Sequence, residues 1–287
     1  MEIISNKNLD INDLSKPLVI SYDNEITEQT NRFITTLENN NWDYMIVGKG
    51  EIWKGFIGRT IKYNDILSSL PSNKIVVLSD ARDVYCCRTS KSFIEAFNTF
   101  NQKNIISTEL FLLGKLNWTD EMIKNYDLWQ GVPVTNYWNY HNIKNLPDRK
   151  YVNAGLIAGK VSNLIDQLTW QIDFCNKNKI TDDQLALTHY INTFPEKIIL
   201  DHNASILHTS TFGVNAGIQN VHIQKTDSPS FAEFYGRGAY FLHIPGSANK
   251  GQKEIYEISW KFIKLGVSSK SLLDLYNYPE IKWNEVF

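Results

Sequence analysis

Short apolar runs alternate with amphipathic stretches along the first third of the chain. Pro17-Leu18-Val19-Ile20-Ser21-Tyr22 runs into the polar turn Asp23-Asn24, the pattern of a strand. Residues 27–39 follow with Phe33, Ile34 and Leu37 at helical spacing. Asp43 to Gly48 predicts a second strand, ending in Gly48-Lys49-Gly50, and residues 59–70 a second helix. Ile75-Val76-Val77-Leu78 is β-branched, uninterrupted and bounded by Pro71-Ser72-Asn73. A run of this kind predicts a strand buried on both faces, as inside a parallel sheet. Strand, helix, strand, helix, strand make a βαβαβ half, the signature of a nucleotide-binding α/β fold.

The remainder continues in the same class. A helix is predicted over 92–100 and a strand over 104–109. Residues 111–149 show no clean period and hold Trp118, Trp129, Tyr137, Trp138 and Tyr140. Aromatic faces on such a segment suit stacking against sugar rings, and equally packing onto a core. A strand over 151–159 is interrupted by Gly155, which implies close approach of a ligand or a neighbour. Helix 161–176 follows, and Thr181 is the expected N-cap of a helix over 185–192. Asp182 and Asp183 would face the positive end of its dipole. Strands over 198–202, 204–207, 218–224 and 239–243 and helices over 253–265 and 268–276 complete the pattern. With no repeat and no second core, residues 1–287 are expected to form a single domain.

Composition narrows the function. The formal net charge is −2 and no basic stripe is present, which argues against nucleic acid. No apolar run approaches the about 20 residues of a membrane span. Met1 to Asp13 has no apolar leader, so a cytoplasmic location is expected. Three cysteines, two of them adjacent, make no disulfide framework.

The candidate chemistry sits where strands end. The run from Ile75 stops at Asp80 and Asp83, and ligands of open α/β sheets collect at such carboxyl ends. Two acids this close repel unless a cation or a donor compensates. A divalent metal carrying a phosphate would do so, and an Asp-rich turn capping the next helix is the alternative. The converging strand ends place Ser21, Tyr22, Gly48, Trp53 and Asp80 around one crevice. His243-Ile244-Pro245-Gly246, with Lys250 beyond, ends the last strand either as a structural turn or as a small phosphate cradle.

Several blocks occur in a fixed order: Gly48-Lys49-Gly50-Glu51-Ile52-Trp53-Lys54-Gly55, Leu78-Ser79-Asp80-Ala81-Arg82-Asp83-Val84, Tyr151-Val152-Asn153-Ala154-Gly155, Asp182-Asp183-Gln184-Leu185, Leu200-Asp201-His202 and His243-Ile244-Pro245-Gly246. Together they resemble the glycosyltransferase domain of the multifunctional procollagen lysyl hydroxylases, from about Leu18 to Lys250. The resemblance implies a GT-A fold, a mixed, mostly parallel sheet flanked by helices. It implies Mn²⁺ on Asp80, Asp83 and His243, a mixed donor set that suits Mn²⁺ better than Mg²⁺. Ser21, Tyr22, Gly48, Trp53, Ser79, Asp80 and Arg82 would hold the nucleotide, and Gly246 and Lys250 its β-phosphate side. Asn153, Asp182 and Asp183 match residues facing the donor sugar and the acceptor.

The implied reaction is a retaining transfer of glucose from UDP-glucose to galactosylhydroxylysine of collagen or a collagen-like protein. A UDP-galactose-dependent hydroxylysine galactosyltransferase, another UDP-sugar transferase of this fold, and a non-catalytic glycan- or collagen-binding module are the alternatives. The chain departs from the family in three ways. Arg82 stands where the family has an aromatic residue, one extra residue separates Gly246 from Lys250, and no His-x-Asp…His triad of an Fe(II) oxygenase follows. A stand-alone transferase is the expectation.

Overall fold

A computed structural model describes residues 2–7, 9–109, 134–147, 151–209, 239–245, 256, 257 and 260. The strands are β1 (Glu2–Ser5), β2 (Leu18–Tyr22), β3 (Asp43–Lys49), β4 (Ile75–Ser79), β5 (Val84–Cys86), β6 (Asn104–Glu109), β7 (Tyr151–Lys160), β8 (Ile198–Asp201), β9 (Leu207–Thr209) and β10 (Phe241–His243). The helices are α1 (Glu28–Asn39), α2 (Gly55–Leu67), α3 (Phe93–Asn98), α4 (Thr135–Tyr140), α5 (Val161–Asn178) and α6 (Asp183–Thr193). The strands form one curled sheet in the order β1-β3-β2-β4-β7-β6-β9-β10-β5, with β8 also on β6.

β2 runs parallel to both β3 and β4, so the predicted βαβαβ half is present with its first strand in the middle. The chain steps out to β3, then crosses back to β4 on the other side. Such a reversal of strand order opens a crevice at the strands' carboxyl ends, here between β2 and β4. β7 then lies antiparallel between β4 and β6. β4 and β6 therefore point the same way, and β9 and β10 follow β6. Tyr22, Asp80, Glu109 and His243 consequently emerge at one edge.

Alternation along β2 and β4 feeds two apolar cores. Leu18, Ile20, Val76 and Leu78 pack with Tyr63 and Leu67 of α2 and Leu164 and Leu168 of α5. Val19, Ile75 and Val77 pack on the other face with Phe33, Leu37, Trp42, Phe93 and Phe97. Burial on both faces is why the Ile75 run carries no polar position. Among the described residues, no helix is long and apolar enough to cross a membrane.

Several boundaries differ from expectation. α2 begins at Gly55 rather than 59 and stops at Leu67, because its first turn holds no apolar periodicity and points Phe56 outward. The N-cap of α6 is Asp182, not Thr181: its carboxylate accepts the Leu185 N–H at 2.9 Å. The strand expected over 204–207 starts at Leu207, since Ala204 takes a left-handed conformation (φ 48°). β1 and β5 were not legible. One is a half-exposed edge strand and the other too short to show a period. α4 falls inside the stretch without periodicity and buries Tyr137 and Trp138. Trp118, Trp129, the strand over 218–224 and most of the two C-terminal helices lie outside the described residues.

Candidate active site

One side chain of α2 bridges β2 and β4 at the crevice. The Tyr63 hydroxyl accepts the Tyr22 N–H at 3.1 Å and donates to the Ser79 carbonyl at 2.8 Å. Ser21 donates to the same carbonyl at 2.7 Å and is fully buried. Ser21 and Ser79 thus join the two strands at the floor of the site.

One turn earlier on α2, Arg59 reaches up to the acids. Its Nη1 pairs with Asp80 Oδ1 and its Nη2 with Asp183 Oδ2 at 2.6 Å. Burial is the largest influence and works against the guanidinium charge, but Asp183, Tyr63 and Asp83 together outweigh it and the Arg59 pKa moves upward. Asp183 is therefore bound across the crevice to α2, while its neighbour Asp182 caps α6.

Asp80, Asp83 and His243 converge. His243 Nε2 lies 3.4 Å from Asp80 Oδ2 and 3.4 Å from Asp83 Oδ1, and the ligand atoms of all three lie within 4.8 Å of one another. Among the described residues, buried His243 Nε2 has no hydrogen-bond partner. β10 reaches this point by pairing with β5, which follows Asp83 directly, so Ile244 N–H donates to the Asp83 carbonyl at 2.8 Å. The short β5 is what brings an imidazole some 160 positions later back to the acids.

Asn153 and Gly155 stand beneath the imidazole. Between the pairs Ile106↔Ile157 and Thr108↔Val152, Ser107 alone of β6 spans residues 153–156 of β7. The excess residues bulge toward the site. Asn153 Oδ1 accepts from Gly155 N at 2.9 Å and lies 3.0 Å from His243 Nδ1. The Gly155 carbonyl accepts the Asp80 N–H at 2.9 Å. A Cβ at Gly155 would stand 2.2 Å from His243 Cε1 and 2.8 Å from Asp80 Oδ2. The neighbour expected at Gly155 is thus the acid–imidazole cluster itself.

The nucleotide-side residues are also gathered. Gly48, at φ 97°, lies under the Tyr22 ring, where a Cβ would come within 2.4 Å of Cε2. Tyr22 and Trp53 stand with ring centroids 5.6 Å apart, and Trp53 is 44% exposed. Arg82 donates to the buried Asp23 carboxylate from Nη2 at 2.7 Å and from Nε at 3.1 Å. Its guanidinium edge is occupied and its charge balanced.

Two cavities meet at the acids. One, of about 450 Å³, is lined by Tyr22, Asp23, Trp53 and Arg82. The other, of about 320 Å³, is lined by Glu109, Asn153, Asp182, Asp183, Gln184 and His243. Phe56, Arg59, Asp80 and Asp83 border both. Gly246 and Lys250 lie outside the described residues. Sequence reasoning missed Arg59 and Glu109. Glu109 was visible as an acid ending a predicted strand, and Arg59 only as the cation that several clustered carboxylates demand.

A sheet reversed at this point, with acids and an imidazole at the waist of a two-lobed cleft, fits the class that the comparisons show, a glycosyltransferase of the GT-A type. Enzymes of this class take a nucleotide-sugar donor and an acceptor, usually with a divalent metal. A family model described as the PLOD GT domain matches residues 14–243, and the chain belongs to that family, the glycosyltransferase domain of lysyl hydroxylases.

Among solved structures, the apo form of the bifunctional glycosyltransferase WbbM is similar with a TM-score of 0.52 at 13% identity, over 83% of this chain and 47% of that one. The likeness shows the fold. A glycosyltransferase involved in glycosylation of the major capsid of PBCV-1 aligns over 83% of this chain and 99% of its own, with 12% identity and a TM-score of 0.46. No curated protein matches the chain.

Proposed function

We propose that this glycosyltransferase uses Mn²⁺ and UDP-glucose to glucosylate galactosylhydroxylysine of collagen or a collagen-like protein, with retention at the anomeric carbon. The observation that carries the metal is the His243 Nε2 atom, buried, unpartnered among the described residues and facing two carboxylate oxygens at 3.4 Å. The ligand atoms of the three side chains lie within 4.8 Å of one another. A divalent cation satisfies all three groups, and the carboxylate–imidazole set suits Mn²⁺. Asp80, Asp83 and His243 would hold it. Bound there, the metal supplies Lewis-acid neutralisation of the diphosphate as UDP leaves.

The chain's own groups divide the remaining work. Tyr22, Trp53 and Arg82 bound the larger lobe and would seat the nucleoside, with Gly48 letting the Tyr22 ring lie flat against the backbone. Gly246 and Lys250 would meet the β-phosphate. Asn153, Asp182 and Asp183 border the smaller lobe, where the glucose and the acceptor hydroxyl would meet. Arg59 holds Asp183 at the border of that lobe through their ion pair at 2.6 Å.

The donor and acceptor rest on the family. The deciding experiment measures UDP release with Mn²⁺ across UDP-sugars, with and without a galactosylated hydroxylysine peptide. Glucose transfer to that peptide alone is the expected result. Turnover confined to UDP-galactose and unmodified hydroxylysine would replace the assignment with a galactosyltransferase.

A further inference from the structure

Behind the acid–imidazole cluster a third carboxylate is connected to it through one amide. Glu109 ends β6 with no exposure, Asn153 is 5% exposed and His243 1%. Asn153 Nδ2 donates to Glu109 Oε2 at 3.2 Å, Asn153 Oδ1 accepts from Gly155 N at 2.9 Å, and the same Oδ1 faces His243 Nδ1 at 3.0 Å.

The chemistry of the end groups orients the middle one. The Asn153 atom against Glu109 is the NH₂ group, which donates to the carboxylate oxygen Oε2. A backbone N–H only donates, so the atom against Gly155 is the amide oxygen, and the two constraints agree. The amide oxygen then meets His243 Nδ1, which must carry the proton to pair with it. In the neutral ring the lone pair is consequently on Nε2, the atom aimed at Asp80 and Asp83.

We infer that Asn153 and Glu109 are positioning residues that hold His243 as the Nδ1–H tautomer, with Nε2 presented to a divalent cation. This rests on the metal reading above and goes beyond it. Asn153 reaches the metal through His243, and Glu109 acts through Asn153. The bulge of β7 opposite Ser107 has the specific purpose of carrying Asn153 between the two. Partners that fix a ligating imidazole in this way are worth about 10- to 100-fold in metal affinity.

The test is Mn²⁺ binding by the full chain, followed by calorimetry and by loss of the free-ion EPR signal. Asn153→Ala and Glu109→Leu should each raise the Mn²⁺ Kd by about 10- to 100-fold. Glu109→Gln still offers an oxygen to the Asn153 NH₂ group and should bind within about 3-fold of the parent. Folded Asn153→Ala and Glu109→Leu proteins that bind Mn²⁺ like the parent overturn the inference while leaving the metal site standing. A parent chain that fails to bind Mn²⁺ overturns the metal reading and this inference with it.

A second measurement needs no variant at these positions. With ¹¹³Cd²⁺ loaded into the ¹⁵N-labelled parent, the metal should couple to Nε2 of His243 while Nδ1 retains its proton. The resonance is assigned by its disappearance in His243→Gln. Coupling to Nδ1 instead would overturn the tautomer assignment even if the Asn153 and Glu109 variants misfold.

Discussion

At the scale of single residues, the site depends on one missing side chain as much as on those present. Gly155 packs against both His243 and Asp80, and a methyl group there would overlap the imidazole at 2.2 Å. Movement of either neighbour is restrained, since His243 is buried and the Asp80 carboxylate is paired with Arg59. Gly155→Ala should therefore spread the ligand set and lower kcat by about 10²-fold, the cost of displacing reacting groups by about an ångström. Steady-state UDP release with saturating Mn²⁺ checks this. Asp80→Ala removes one of the three proposed metal ligands, and turnover should fall by ~10²-fold or more, as when charge stabilisation at the leaving group is lost. Mn²⁺-dependent activity that persists in Asp80→Ala would refute the ligand assignment.

At the scale of elements, α2 does more than flank the sheet. Its Tyr63 closes the split between β2 and β4, and its Arg59 links Asp80 to Asp183 at the start of α6. Burial pushes the Tyr63 pKa up, so it stays the neutral donor that the Ser79 carbonyl needs. Arg59→Met would leave Asp183, 7% exposed, without its cation. Breaking a buried pair from one side costs about 3 kcal/mol or more, and urea denaturation should show a loss of that size. Asp183→Asn in the same background should recover part of it, because the stranded charge is then gone. The βαβαβ order and α2 itself were legible from periodicity. Their meeting was not, because Arg59 pairs with Asp80 and Asp183, 21 and 124 positions further along the chain.

At the scale of the whole molecule, stability should depend on pH in a direction set by buried phenols. Burial raises the pKa of Tyr44, with Glu38 adding to it, and burial raises that of Tyr85 further. Burial, then Asp166 and Glu196, push Tyr190 up to about 12. Above pH 10 the unfolded chain ionises these phenols while the native chain keeps them protonated. The native state then binds more protons, and stability falls as pH rises. Each such tyrosine contributes about 1.4 kcal/mol per pH unit between its unfolded and folded values. Burial lowers the Lys74 pKa, which acts oppositely just below 10.5 but as a single group. Urea midpoints at pH 8 and pH 11 should differ accordingly. Mn²⁺ bound only by the native fold should raise Tm, worth about 2.7 kcal/mol at 100 times its Kd. His243→Gln should abolish that Tm shift in a calorimetric scan.

The α/β class, the βαβαβ half and the acids at the end of β4 were written in the sequence, because burial and strand period act over a few neighbouring residues. The order of blocks carried the family. The tertiary structure alone decided which atoms face one another. Asp182 became a cap rather than Thr181, Asp183 was drawn to Arg59, and Glu109 came to stand behind Asn153. Those pairings join residues far apart along the chain, through a strand reversal, a bulge and a three-residue β5. Local periodicity has no term for any of these, since each is selected by the closure of the sheet as a whole.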